Sequence, residues 1–169
     1  MNFTLRPATI NDIEPMQAVE RDASEAFRAI GYDFCIGPVR EEWEHRKGID
    51  EGAAIIAESG GAPAGFILLW PVDSGGHIVE LSVAMAFQKR GLGRALIAAG
   101  EDWAREAGFP AITLTTFRDV SWNAPWYRLL GYGEFEPGAA DAELAAIIAD
   151  EAAHGFHARA RVAMKKALR

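Results

Sequence analysis

The sequence predicts an α/β protein, because strand-like and helix-like segments alternate along its central part. The apolar run 78–83 and the β-branched run 112–117 both have the composition of buried strands. Between them, apolar residues recur at helical spacing: Leu92, Leu96, Ala99, Trp103 and Ala107. The charged residues between these positions are expected to face solvent, and Gly108 is expected to end the helix. A strand, a helix and a second strand are therefore predicted in succession.

The flanking segments supply further elements in chain order. Strands are also expected at 3–7, 53–58, 65–70 and 159–166. The second and third of these form a hairpin that turns at Ser59, Gly60 and Gly61, and the apolar run 66–70 stops at Pro71. One helix is expected to begin at an Asn11…Glu14 capping pattern and to end at Gly31. Three more helices are expected over 39–47, after Asn123 and over 141–155.

Length and composition favour one domain over 1–169. Half of the 169 residues are hydrophobic and 24% are charged, which is enough to bury a core. We expect no membrane partner and a cytoplasmic location, because no apolar run reaches spanning length, no signal-peptide pattern opens the chain, and Cys35 has no second cysteine to pair with. A net charge of -7 argues against a nucleic-acid partner.

A glycine-containing bend with local positive charge precedes the central helix. Gly91 and Gly93 let the backbone turn tightly, while Lys89, Arg90 and Arg94 place cations at the same point. The free N–H groups of a first helical turn and the positive end of the helix dipole favour a phosphate there. The stretch lacks the second spacing of a dinucleotide fingerprint and the Gly-Lys-Ser/Thr ending of a P-loop. A phosphate site and an ordinary surface turn both remain open from these residues alone.

A second motif, Asn123, Tyr127, Gly131 and Tyr132, follows the second central strand. Together with Gln88, Gly91 and Gly93, it resembles the GNAT superfamily of acyl-coenzyme A-dependent N-acyltransferases over roughly residues 3–136. The resemblance implies a mixed, mostly antiparallel central sheet of about seven strands flanked by helices, with parallel fourth and fifth strands that splay apart. An Ala-rich stretch at about 139–155 is expected to be a helical insertion before the last strand.

The resemblance implies acetyl-CoA as co-substrate, with no metal. The pyrophosphate of acetyl-CoA is expected to bind at a set of loop residues, namely Gln88, Lys89, Arg90, Gly91, Leu92, Gly93 and Arg94. The pantetheine arm is expected to take main-chain hydrogen bonds from Leu81, Ser82 and Val83. Asn123 is expected to cap the short helix after it and to contact the arm through its side chain.

Two residues are expected to carry the chemistry. An aliphatic amine is mostly ammonium at pH 7, and presenting it as the free base costs about 4 to 5 kcal/mol. Glu80 is the expected base, directly or through a water; the alternative is a solvated or ion-paired strand residue. Tyr127 is expected to face the departing sulfur, and its alternative is a place in the core.

The acceptor is expected to border the first two helices. Acidic and aromatic residues lie there, namely Glu25, Phe27, Tyr32 and Trp43 together with Asp33, Phe34 and His45. They suit a small primary amine or an amino-acid-like metabolite. The alternatives are a protein N-terminal or lysine acetyltransferase, a non-catalytic coenzyme A sensor, and an unrelated nucleotide-binding protein. His154 and His157 are too few for a metal site, and a homodimer is the expected assembly if the chain pairs.

Overall fold

The computed structural model describes residues 2–153 and 161–168. Within these residues the strands are Thr4–Pro7 (β1), Ala54–Ser59 (β2), Ala62–Val72 (β3), Gly75–Val83 (β4), Ala111–Phe117 (β5), Gly133–Phe135 (β6) and Arg161–Ala167 (β7). The α-helices are Ile13–Ser24 (α1), Glu42–Asp50 (α2), Leu92–Glu106 (α3), Ala124–Leu129 (α4) and Ala142–Ala153 (α5). Short 3-10 turns cover Ile10–Asp12, Glu25–Ile30, Asp33–Cys35 and Met85–Phe87.

The strands form one mixed sheet in the order β1-β2-β3-β4-β5-β7-β6. β4 and β5 run parallel, with 76–78 paired to 112–114, and α3 connects them. The pairs β1–β2, β2–β3, β5–β7 and β6–β7 are antiparallel. The expected seven-stranded α/β architecture, with parallel fourth and fifth strands, is confirmed.

One compact unit comprises Met1–Trp70 and Val79–Trp103. The apolar stripe of α1, at Ile13, Met16 and Val19, is buried against β2 and β3 side chains such as Ile56 and Phe66. At the start of this unit, Arg6 on β1 makes a two-pronged ion pair with Asp12 and also binds Glu58 on β2. This guanidinium holds the pKa of Asp12 well below its usual range and ties the first strand to the first helix.

The second compact unit comprises Pro71–Ile78 and Ala104–Arg169. β5 pairs with β7 from Ala111 to Phe117, and β6 lies on the other side of β7. The helix of the expected insertion, α5, is docked by the turn before β4. Both oxygens of Asp73 accept hydrogen bonds from the first-turn amides of α5, from Glu143 at 3.0 Å and Leu144 at 3.1 Å.

Several element boundaries differ from expectation. The first helix is α-helical only to Ser24 and continues as a 3-10 turn to Ile30, after which Gly31 adopts a left-handed conformation. The second helix starts at Glu42 instead of residue 39. The N–H of its N-cap residue, Glu41, donates a hydrogen bond to the carboxylate of Glu44 at 2.7 Å. β3 does not stop at Pro71 but runs to Val72. In α3, Glu101 is buried at 6% exposure, so the expectation that it faces solvent is wrong.

The helix expected over 141–155 begins at Ala142 and is described to Ala153. The final strand is described from Arg161, and its expected start at 159, like His154 and His157, lies outside the described residues. The organisation of 1–169 as one domain stays a prediction. Among the described residues, no helix combines the length and the apolar character needed to cross a membrane.

We expect Asp73→Ala to lower the free energy of unfolding by about 1 to 2 kcal/mol, because two first-turn amides of α5 lose their acceptors. Denaturant unfolding measures this change, and hydrogen exchange should show faster exchange in α5 than in β5. Ser74→Ala, in the same exposed turn, is the control and should change neither quantity. Unaltered exchange in α5 of the Asp73 variant would show that the helix is held by its apolar side alone.

Candidate functional site

The expected phosphate loop is a bend with two residues in the left-handed region. Lys89 has a φ of 59° and Gly91 a φ of 86°, and a Cβ added at Gly91 would meet no atom within 4 Å. Gln88 braces this bend, because its side-chain Nε2 donates to the carbonyl oxygen of Val83 at 3.0 Å. The bend is therefore tied to the end of β4.

The helix that follows the bend starts at Leu92 and has 15 residues. Its first amides have no acceptor one turn earlier in the helix, so they point out of its N-terminus. Lys89, Arg90, Gly91 and Arg94 are exposed around this end, and Gly93 is half-buried. Leu92 is only 3% exposed, so its side chain belongs to the core and only its backbone faces the bend. The structure thus brings the expected loop residues together at one helix end.

The β4 residues expected to hold the pantetheine arm lie directly before this bend. Leu81 and Val83 are half-buried, and Ser82 is 5% exposed. The Val83 carbonyl already accepts the Gln88 side chain, which leaves less of its hydrogen-bonding capacity for a ligand. The Ser82 hydroxyl donates to Oε1 of Glu80 at 2.8 Å. Ser82 therefore orients the expected base with its side chain.

Glu80 is held from two sides. Its Oε1 accepts from Ser82, and its Oε2 lies 3.9 Å from Nε of Arg40. The side chain is 24% exposed, so it is neither freely solvated nor sealed from solvent. The ion-pair alternative raised from the sequence is thus part of its environment, and the carboxylate still reaches the surface.

Sequence reasoning missed three charged residues beside Glu80: Glu20 on α1, Arg40 before α2, and Glu44 on α2. Both oxygens of Glu20 accept from the backbone N–H of Arg40, at 3.0 and 3.1 Å. The Arg40 guanidinium binds Glu44 at 3.0 Å and donates to the carbonyl oxygen of Val79 at 3.2 Å. Arg40 therefore joins α1 through its backbone, and α2 and β4 through its guanidinium, around the expected base.

Glu20 is the most perturbed carboxyl of this group. It is 9% exposed, and burial raises its pKa to about 9, with the nearby charge of Glu80 acting in the same direction. A sequence signal for it existed, because Glu20 follows Met16 by four residues and Ile13 by seven. An acid at that spacing lies on the apolar stripe of the helix, where it has to be buried. Arg40 carried no comparable signal.

The second motif lies in the other compact unit. Tyr127 on α4 is 8% exposed, and its ring packs edge-on against Trp126 at 5.0 Å and Tyr132 at 5.7 Å. Asn123 occupies the N-cap position of α4, as expected, although its side chain makes no capping hydrogen bond. Its carbonyl accepts the amides of Trp126 and Tyr127 instead, at 2.8 and 3.0 Å.

The residues expected to border the acceptor fall into separate groups. Phe27, Tyr32 and Phe34 form a stacked series with centroid distances of 6.3 and 5.6 Å. Trp43, which is 56% exposed, stacks on Trp70 instead at 5.9 Å. These aromatic contacts are local to two parts of the same unit.

The charged members of that set are surface residues. Glu25 is 45% exposed and pairs with Arg28 three residues later, which also lies 3.8 Å from Asp33. These pairs are typical of a solvated helix face and contribute little to stability. They leave the interpretation of Glu25 as an acceptor contact without specific support.

His45 differs from the other expected acceptor residues because it is completely buried. Its ring packs against Phe66 at a centroid distance of 5.6 Å, and neither ring nitrogen has a hydrogen-bond partner. Burial lowers its pKa, which keeps the imidazole neutral. His45 thus belongs to the core of the unit rather than to a solvent-facing acceptor surface.

A cavity of about 120 Å³ in the second unit contains none of the expected residues. It is lined by polar groups including Thr115, Arg118, Glu134, Glu151 and Arg161. Their charges are compensated, since Arg161 makes a bidentate pair with Glu151 and Arg118 lies 3.2 Å from Glu134. Among the described residues, no group of three or more His, Cys, Asp or Glu side chains is placed to hold a metal ion.

Comparison with known proteins gives one family match. The sequence model of the acetyltransferase (GNAT) family matches residues 16–132, which is well over half of the chain. The matched range includes β4, the bend, α3 and the Tyr127 motif.

Solved structures share the fold at low sequence identity. The PaiA N-acetyltransferase from Thermoplasma acidophilum, in complex with coenzyme A, superposes with a TM-score of 0.73 at 17% identity, over 99% of each chain. N-acetylglutamate synthase from Neisseria gonorrhoeae, with coenzyme A and N-acetyl-glutamate, gives 0.74 at 20% identity over 100% of this chain and 36% of its own. The ribosomal-protein-S18-alanine N-acetyltransferase from Escherichia coli gives 0.64 at 17% identity, over 99% and 94%.

We expect the stability of the protein to carry a signature of Glu20. Between the ordinary carboxyl pKa of about 4.5 and the raised pKa of about 9, the folded state keeps a proton that the unfolded state releases. This contribution therefore destabilises the fold as pH rises through that window. Glu20→Gln cannot titrate and keeps an oxygen for the Arg40 amide, so its stability relative to wild type should increase from pH 5 to pH 9.

Urea unfolding at several pH values measures this difference. Glu14→Gln, at an exposed position of the same helix, is the matched control and should track the wild type at every pH. A constant offset between Glu20→Gln and wild type across the range would mean that Glu20 is ionised in the folded protein.

Proposed function

Because the chain belongs to the GNAT acetyltransferase family, we propose that it moves an acetyl group from acetyl-CoA to a primary amine by direct attack in a ternary complex. The observation that carries this proposal is the bend at Lys89 and Gly91, which directly precedes the N-terminus of α3. Oriented backbone amides, a helix N-terminus and three nearby cations form a site suited to a diphosphate.

The cofactor roles are assigned as the sequence suggests. Backbone amides from Lys89 to Arg94 would hold the pyrophosphate, with Gln88 bracing the bend. Leu81, Ser82 and Val83 would pair with the pantetheine arm through their main chain, as an added strand pairs with a sheet edge. Asn123 remains a proposed side-chain contact of the arm, a role compatible with a side chain that caps no helix.

Glu80 is the proposed base. The ammonium of the acceptor loses a proton to the carboxylate, directly or through a water, and the free amine nitrogen then attacks the thioester carbonyl. The new C–N bond gives a tetrahedral adduct, and its collapse breaks the C–S bond and releases the sulfur as thiolate. The nitrogen loses its second proton to the thiolate or to solvent, which leaves the amide and free coenzyme A. The partial exposure of Glu80 supports this role, because the proton can pass on to solvent after each turnover.

Two further groups would stabilise the developing charges. The Tyr127 hydroxyl is the proposed hydrogen-bond donor to the departing sulfur, and a β4 amide near Val83 is the proposed donor to the carbonyl oxygen. Full proton transfer from Tyr127 to the thiolate is uphill by about 2 kcal/mol at ordinary pKa values, so hydrogen bonding is the assigned role.

The proposed acceptor is a small primary amine or amino-acid-like metabolite. Support comes from the partly exposed carboxylate of Glu80 and from the stacked aromatics Phe27, Tyr32 and Phe34 in the same unit. A screen with acetyl-CoA, following thiol release over amines, amino acids and peptides with free N-termini or lysines, tests this assignment. Turnover only with peptides would indicate a protein acetyltransferase, and tight binding without turnover would indicate a sensor.

Cytoplasmic location and pairing of two copies stay predictions.

We expect Gly91→Ala to weaken acetyl-CoA binding about tenfold or more, because a Cβ at a φ of 86° strains the bend that presents the amides. Titration calorimetry measures the affinity. Gly108→Ala is the matched control, since Gly108 ends the same helix with a φ of 77° and equally open surroundings. Both variants should lose about 1 kcal/mol of stability. Equal affinities for the two variants would place the pyrophosphate elsewhere.

We expect Glu80→Gln to lower kcat/KM about 100-fold at pH 7 while the affinity for acetyl-CoA stays nearly unchanged. The loss should shrink toward pH 10, where a much larger fraction of the acceptor amine is already the free base. Initial rates with both substrates varied should give intersecting lines, as a ternary complex requires. A deficit that stays the same at every pH would remove Glu80 as the base.

For Tyr127→Phe we expect about a tenfold loss of kcat with little change in stability, because the ring and its packing are retained. Tyr132→Phe is the matched control, since Tyr132 is 2% exposed and packs against the same ring. If the two variants lose the same activity, Tyr127 acts through the core and not at the sulfur.

A further inference from the structure

We propose that Arg40 is a positioning residue for Glu80, which holds the carboxylate in place on β4 and balances the negative charge around it. This inference rests on the proposed function for the role of Glu80. The geometry that carries it lies within one compact unit and involves three elements, α1, α2 and β4.

Helix α1 fixes the backbone of Arg40. Glu20 accepts the Arg40 N–H with both carboxyl oxygens, and the Gln17 side chain donates to the Arg40 carbonyl at 2.9 Å. Both peptide groups of Arg40 are therefore held by residues three apart on one helix face. Arg40 lies in a connecting segment, and these hydrogen bonds fix its backbone. A fixed backbone limits the positions of the guanidinium, so that it can orient another group.

The guanidinium then spans the gap from α2 to β4. It binds Glu44 at 3.0 Å, donates to the carbonyl oxygen of Val79 at 3.2 Å, and lies 3.9 Å from Oε2 of Glu80. Val79 directly precedes Glu80, so Arg40 holds the strand backbone and the carboxylate together. The distance to Glu80 is too long for a hydrogen bond, which means that Arg40 acts on Glu80 mainly through charge.

The charges around Glu80 make this cation necessary. Glu44 on α2 contributes negative potential to the same cluster, and the neighbouring His45 is buried and stays neutral. A carboxylate near like charges retains its proton to higher pH, and a protonated carboxyl cannot accept a proton from an amine. Arg40 opposes that repulsion, while the raised pKa of Glu20 removes one negative charge from the cluster near neutral pH.

The test compares Arg40→Gln with wild type. We expect kcat to fall about tenfold, and the acidic limb of the pH–rate profile to move up by about one pH unit, because the nearest cation is lost. The KM for acetyl-CoA should stay unchanged. Arg40→Lys keeps the charge without the planar fork, so it should return the acidic limb toward its wild-type position and recover only part of kcat. Arg46→Gln, which breaks an exposed pair with Glu42 in α2, should match wild type.

A second readout does not depend on catalysis. In protein carrying labelled carboxyl carbons, the signal of Glu80 should titrate at higher pH in Arg40→Gln than in wild type. A wild-type protein without turnover on any amine would end the proposed function, and this titration would still decide the action of Arg40 on Glu80. An unmoved titration and an unmoved acidic limb, with or without a loss of kcat, would overturn the inference.

Discussion

The close approach of β3, β4 and α3 at Gly65 determines where the candidate site lies. A Cβ at Gly65 would meet the Ser82 carbonyl oxygen at 2.9 Å and the side chains of Leu92 and Leu96 at 3.1 and 3.2 Å. Two of these are apolar side chains of a packed core, and the third is backbone, so the space is not recovered by small shifts. The missing side chain allows the first turns of α3 to pack on β3. The bend before α3 is then confined to the end of β4.

That confinement joins the binding and the chemical parts of the proposed site. Gln88 ties the bend to the Val83 carbonyl, and Ser82, one residue earlier, orients Glu80 through its hydroxyl. Alternate residues of a strand lie on one face, so Glu80 and Ser82 are neighbours through strand geometry alone. The whole arrangement lies in the 12 residues from Glu80 to Gly91, directly before α3 begins at Leu92.

Local patterns predicted the central part of this architecture. The apolar periodicity of α3, the β-branched runs beside it and the glycines of the bend are short-range signals, and the mixed sheet with parallel β4 and β5 follows from them together with the family motifs.

Contacts between distant segments were not predictable in this way. Arg40 gains its environment from α1 and β4, which no spacing near residue 40 encodes. β3 continues through Pro71, although proline has no N–H to donate to a neighbouring strand. Its pairs with β2 end at Ala54–Leu68, so β2 has no residue opposite Pro71 that would need this donor.

The charge distribution also follows from local placement rather than from composition. The chain carries a net charge of -7, and coenzyme A is itself an anion, so the protein as a whole repels its proposed cofactor. Screening limits that repulsion, because the Debye length is about 8 Å at physiological ionic strength. Lys89, Arg90 and Arg94 lie within a few residues of one another at the bend, where they act at shorter range than the dispersed acids. Lowering the salt concentration strengthens both the repulsion by the net charge and the attraction by these three cations. The effect of salt on binding therefore depends on which charges lie within the screening distance of the diphosphate.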